Sequence, residues 1–161
     1  MELSALFPEL ALLSSWALPL LLLRIVAAMI LGGLIGLERE RNHAAGFRTH
    51  ILVCTGVALV MVLSECLLYR FENQEAMRLG AGVISCIGFI GGGSILSDRG
   101  KVRGLTTAAG VLATACVGLA VGAGYFLIAT VATACILFTM KILNRVSKSR
   151  HTPPSEIPKE D

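Results

Sequence analysis

The chain reads as an all-α integral membrane protein, a bundle of five transmembrane helices with the N-terminus out and the C-terminus in. Three observations predict this class. The 161 residues are 55% hydrophobic and only 16% charged, whereas soluble domains carry about 25% charged residues. The apolar residues fall into five stretches separated by short charged islands. Of the 14 Lys and Arg, all but Arg24, Arg70 and Arg78 lie in segments that share one side if every stretch crosses the bilayer. An excess of Lys and Arg on short loops marks the cytoplasmic face.

The stretches cover 16–37, 50–69, 79–96, 105–121 and 125–140, to be compared with the roughly 17–25 residues of a spanning helix. The last is short, and continuing it to Leu143 with Lys141 snorkelling lengthens it. Residues 1–15 carry Glu2 and Glu9 and no basic group, so no cleaved signal peptide is expected and this end faces out. The loop after the first stretch holds Arg39, Arg41 and Arg48 and faces in. Residues 72–78 face out, and the loop with Arg99, Lys101 and Arg103 faces in. Gly122–Gly124 is a tight, uncharged outer turn. A five-span domain is expected over 1–143, followed by a short, basic, disordered cytoplasmic tail over 144–161 that holds three of the 5 prolines. The net charge of +3 then reflects the inner-face bias of a multi-pass membrane protein, with the lipid bilayer as partner and no nucleic acid.

Several chemistries are excluded by pattern. The 5 cysteines are scattered through the apolar stretches without a CxxC, and the 3 histidines lack metal-ligand spacing. They read as packing groups. No nucleophile–base pair and no phosphate-binding glycine loop appears, so no enzymatic activity and no cofactor is expected beyond Mg²⁺ itself.

The glycines carry more information. Gly32/Gly36, Gly88/Gly92 and Gly118/Gly122 each make a GxxxG, which allows helix backbones to approach closely in lipid. The first pair also makes a homodimer plausible. A run of Gly91, Gly92 and Gly93 fits either a broken or re-entrant helix end over a protein-covered cavity or close packing.

Two ionisable residues fall inside stretches. Counted from the inner boundary at ~1.5 Å per residue, Arg24 and Glu65 both lie about 20 Å up and can meet. A lone charge at such depth costs roughly 2.5–3.5 kcal/mol, so a partner is expected. An intramembrane pair joining the first two spans is one reading. Outward snorkelling of Arg24 with Glu65 near the interface is another, and a proton or cation relay through Glu65 is a third.

On the inner face four helix ends converge. They bring Glu38, Arg39, Arg48, Thr49, Gly91–Gly93, Arg103, Thr106 and Thr107 to one surface. Thr49, Thr106 and Thr107 are expected as N-caps, and helix starts beside Arg suit an anion. Glu38 either pairs with Arg48 or Arg103 as a clamp, or joins Glu40 and Asp98 around a hydrated Mg²⁺, which needs only one or two carboxylates.

The segments GLERERN at 36–42, AGFRTH at 45–50, ISCIGFIGGGSIL at 84–96 and VRGLTTAAG at 102–110, in that order and spacing, resemble the MgtC/SapB family of bacterial membrane proteins. The resemblance covers roughly 24–143. It implies a five-span inner-membrane protein linked to survival under low magnesium, to acid stress and, in pathogens, to virulence. Longer members carry a soluble C-terminal domain, and the membrane-only form is expected here. A regulator of another membrane complex is the favoured function. The alternative is a small oligomeric transporter or channel for Mg²⁺ or another ion.

Overall fold

A computed structural model describes residues 17–40, 45–71, 76–98 and 101–150. They form five helices and one hairpin: α1 (Ala17–Arg39), α2 (Phe47–Phe71), α3 (Ala76–Gly93), β1 (Leu96–Asp98), β2 (Lys101–Arg103), α4 (Leu105–Gly122) and α5 (Phe126–Arg150). Three are long and apolar enough to cross a membrane, over Leu18–Arg39, Phe47–Leu68 and Leu105–Gly122. The apolar parts of α3 and α5, Arg78–Gly93 and Phe126–Ile142, are shorter. Large apolar side chains such as Leu22, Leu52, Phe89 and Leu127 point outward, as lipid allows and water does not. The protein is an all-α membrane protein.

Local chemistry explains the element limits. Pro19 sits in the first turn of α1, where its missing N–H has no intrahelical partner to lose. The Glu40 carboxylate accepts the Phe47 N–H at 2.5 Å and so caps the start of α2. The chain at Gly46 passes so close that a Cβ there would meet Glu40 Oε2. Gly104, with φ 90, is the N-cap of α4 and has no side-chain cap. A Cβ at Gly104 would collide with the Ser94 carbonyl, so only glycine lets the hairpin close against the end of α3. The expected Thr caps are thereby corrected: Thr49, Thr106 and Thr107 lie inside first turns, because Glu40 and Gly104 already occupy the capping role.

Two further limits differ from expectation. The third helix stops at Gly93, not 96, and Leu96–Asp98 pairs antiparallel with Lys101–Arg103 in the register Leu96↔Arg103, Ser97↔Val102. The Ser94 and Ile95 amides close a turn on the Gly91 and Gly92 carbonyls at 3.0 and 3.1 Å. The glycine run is therefore the C-terminus of α3 and stays helical up to Gly93. At the other extreme, α5 continues past 143 to Arg150; residues 151–161 lie outside the described residues.

α4 is the central helix. It packs on α1, α2, α3 and α5, while α3 touches only α2 and α4 among the stronger contacts. One apolar cluster joins Ala28, Ile35, Cys54, Ala58, Val117, Val121 and Ala129 from α1, α2, α4 and α5. A second joins Val57, Ile87, Val111 and Ala115 from α2, α3 and α4 with Ala45. Small residues set the spacing. A Cβ on Gly32 would stand 2.6 Å from Cys54 Cβ, one on Gly36 2.7 Å from Phe47 Cα, and one on Gly122 2.6 Å from the Ala58 carbonyl. A Cβ on Gly118 would run into the Cys54 carbonyl. Cys54 is thus where three backbones meet.

Candidate functional site

Two arginines on α1 turn inward, near opposite ends of the bundle. Arg24 and Arg39 are both buried, and fifteen residues of helix separate them by about 22 Å. Their surroundings differ.

Arg24 makes an ion pair with Glu65 through Nη1, and the same nitrogen donates to the Gly122 carbonyl at 3.0 Å. The guanidinium thereby joins α1 to α2 and to the end of α4. Gly124, at φ 85, passes beside it, where a Cβ would approach Nη2 to 3.1 Å. Of the alternatives open for these residues, the structure displays the paired arrangement, at one depth in the bundle.

Arg39 is 4% exposed. Its Nη2 donates to the Thr106 carbonyl at 3.1 Å, tying the end of α1 to the first turn of α4. Its Nε is buried with no acceptor. Among the described residues the contact ion pair given above is Arg24 with Glu65, while Arg39 is acted on by the Glu38 carboxylate only through space. One turn into α2 sits His50, also buried, donating from Nδ1 to the Gly46 carbonyl at 2.8 Å, with Nε2 left without a partner. Because the carbonyl can only accept, the proton is assigned to Nδ1.

The other expected inner-face residues spread around this end. Arg48, Arg103 and Thr106 are exposed, Thr49 and Glu38 are half-buried, and Thr107 is buried. Glu38 pairs with neither Arg48 nor Arg103 among the described residues. Gly91 lies in ordinary contact with Ala108, while Gly92 and Gly93 have nothing within 4 Å of a built Cβ, so close packing does not account for them. No three His, Cys, Asp or Glu among the described residues gather to hold a metal ion. Glu40 is committed to the α2 cap, and Asp98 lies on β1.

Between α4 and α5 lies a cavity of about 330 Å³ with Arg39 at its wall. Thr106, Ala109, Gly110 and Ala113 line it from α4, and Cys135, Ile136, Thr139 and Met140 from α5. Gly110 lies beside the guanidinium, where a Cβ would stand in ordinary contact, 3.5 Å from Nη2 and 3.6 Å from Nε. Apart from Arg39, few polar groups are offered. Thr139 gives its hydroxyl to the Cys135 carbonyl at 2.8 Å. Thr114, Thr130, Thr133 and Ser85 likewise each bond a carbonyl four residues back, whereas the buried Thr55 hydroxyl has no partner.

The model of the MgtC family matches residues 25–149, the five helices almost entire. The chain belongs to the MgtC family. This MgtC-family chain is 40% identical over 128 residues to the protein named MgtC of Salmonella typhimurium, covering 79% of this chain and 54% of that one. It is 33% identical over 135 residues to the putative magnesium transporter YhiD of Escherichia coli K12, covering 78% and 61%. It is 40% identical over 120 residues to MgtC of Brucella abortus, covering 74% and 49%. The chain thus spans about half to three fifths of the length of these curated relatives. No solved structure matches it.

Sequence reasoning passed over His50, Gly110 and the α5 wall. Gly110 carried a usable signal: it follows Thr106 by four residues and therefore shares its helix face. The α5 residues carried none, because a Cys–Ile–Thr–Met face looks like any lipid-facing stripe.

Proposed function

We propose that this MgtC-family protein is a five-span regulator of another complex in the bacterial inner membrane, needed when magnesium is scarce, with its N-terminus out and its Arg39 end at the cytoplasm. Acid stress and virulence are the settings in which such a regulator acts, and no reaction is assigned to it. One observation carries the choice of regulator over conduit: the buried Arg39 guanidinium stands at the wall of the cavity. A divalent cation entering there would meet repulsion, and at the other end it would meet an Arg24–Glu65 pair that is neutral as a whole and whose carboxylate is already engaged. Intramembrane charges that mark ion pathways face a cavity or one another, and here the cavity faces a positive charge. The buried hydroxyls of Thr114 and Thr133 are spent on helix carbonyls, and that of Thr55 is left without a partner.

The printed name of the Escherichia coli relative favours the second function, an oligomeric Mg²⁺ transporter. The two are separated by flux into proteoliposomes that hold a Mg²⁺-sensitive dye, with the purified full chain in the bilayer. No flux under either gradient direction is expected. Flux that Glu38→Ala removes would replace the regulator with a small ion pathway. In cells, Glu38→Ala is expected to leave the protein inserted and to impair growth at low magnesium, because Glu38 is half-buried at the end of α1 and makes no contact ion pair among the described residues. Unimpaired growth would remove Glu38 from the functional surface.

A further inference from the structure

Arg39 poses a charge problem that the described residues solve only in part. A buried guanidinium without a contact counter-ion is costly, the through-space pull of Glu38 is smaller than the effect of burial, and hydrogen bonds from charged donors form wherever an acceptor can reach. At the other end of α1 the same side chain has Glu65 in contact. Nε lacks an acceptor in both arginines, and here the Thr106 carbonyl serves where Arg24 has a carboxylate as well. A further acceptor can reach the guanidinium from the cavity that Arg39 lines.

The cavity walls say what else that acceptor carries. Ala109, Ala113, Ile136 and Met140 make the lining largely apolar, and Thr106, Ala109, Cys135 and Thr139 are exposed at the protein surface. In a membrane protein such a surface groove opens toward lipid. Its volume of about 330 Å³ falls at the lower end of small-molecule sites, roughly 300–1,000 Å³, enough for a head and the first part of a chain. A basic pocket between helices is also the arrangement that takes anionic lipid heads.

We propose that the α4–α5 cavity binds an anionic amphiphile, with a phosphate or carboxylate oxygen on the Arg39 guanidinium and hydrocarbon along Ala109, Ala113, Ile136 and Met140. The first turn of α4 beside it adds a positive helix end to the head's surroundings. An anionic phospholipid of the surrounding bilayer is the occupant this geometry selects. The site does not depend on whether the protein regulates or transports.

Native mass spectrometry of the full chain in a neutral detergent tests it, with phosphatidylglycerol and phosphatidylcholine offered in equal amounts. Wild type is expected to retain phosphatidylglycerol about tenfold more strongly, the discrimination of one charge-assisted hydrogen-bonded contact. Equal retention of the two lipids overturns the proposal without recourse to any variant. Ala113→Phe fills the apolar wall and leaves Arg39 in place, and Arg39→Gln removes the charge while keeping a donor for the Thr106 carbonyl. Both are expected to lose the preference, with thermal unfolding without lipid checking that each is folded. A preference unchanged in a folded Ala113→Phe protein would place the lipid on the outer basic groups and overturn the cavity assignment. Inorganic phosphate, a head without a tail, is expected to compete poorly. Full displacement by phosphate at equal concentration would make the ligand a free oxyanion and overturn the amphiphile.

Discussion

The helices α1, α2 and α4 form a packed unit, whereas α3 leans on that unit with half its surface bare, and both are built with the same glycine spelling. Gly32/Gly36 and Gly118/Gly122 lie where any Cβ would enter a neighbouring backbone. Gly88/Gly92, at the same spacing, has nothing within 4 Å of a built Cβ, as is also true of Gly82 and Gly93. Phe89 next to them is 85% exposed. A GxxxG therefore states that a backbone can be approached, and only the tertiary arrangement decides whether one comes. In the packed unit the approach offsets the roughly 1 kcal/mol of helix propensity that each glycine costs relative to alanine. At Gly82, Gly88, Gly92 and Gly93 of α3 no contact within the described residues does so.

The strongest way to break this comparison is Gly118→Leu. The side chain would have to occupy the Cys54 carbonyl, which is backbone and cannot swing away. A loss of about 3 kcal/mol or more is expected, seen as a protein that elutes aggregated in size-exclusion chromatography. A well-folded Gly118→Leu protein would show that the packed unit yields as α3 does. Next comes the polar clasp on the same unit. Arg24→Ala is expected to cost about 1–2 kcal/mol in detergent unfolding, Glu65→Ala a similar amount, and the double variant no more than either single one. Additive losses would mean that the two side chains contribute separately. The smallest effect belongs to α3, where Gly92→Leu is expected to change stability by less than about 0.5 kcal/mol. A loss as large as that of Gly118→Leu would erase the distinction between the two regions.

Much of this fold is written in runs that need no partner to be read. The apolar stretches locate α1, α2 and α4 because length and hydropathy are properties of one segment. The depth of Arg24 and Glu65 is legible too, since each is counted from its own charged boundary. What escapes the sequence depends on a second segment. Glu40 looks like a spare surface carboxylate until it caps the helix that starts seven residues later. Arg39 is spelled among Glu38, Glu40 and Arg41, yet it turns inward to bond the Thr106 carbonyl on α4. Strands of three residues are too short for their alternation to register, so the Leu96–Arg103 hairpin was hidden in an ordinary charged loop. The cavity has walls on two helices, and neither wall is distinctive alone.

The hydrogen bonds of α1 also impose an order of events on biogenesis. Glu65 follows Arg24 by 41 residues, the Gly122 carbonyl follows it by 98, and the Thr106 carbonyl follows Arg39 by 67. At a synthesis rate of about 5–20 residues per second, α1 waits roughly 5–20 s after Arg24 is made for the Gly122 carbonyl. Until α4 emerges, α1 depends on water, lipid phosphate or the insertion machinery to help solvate its guanidiniums. The hydrogen bonds of α1 are therefore completed only with α4, and a nascent chain halted before α4 holds its arginines without the backbone carbonyls that finally secure them.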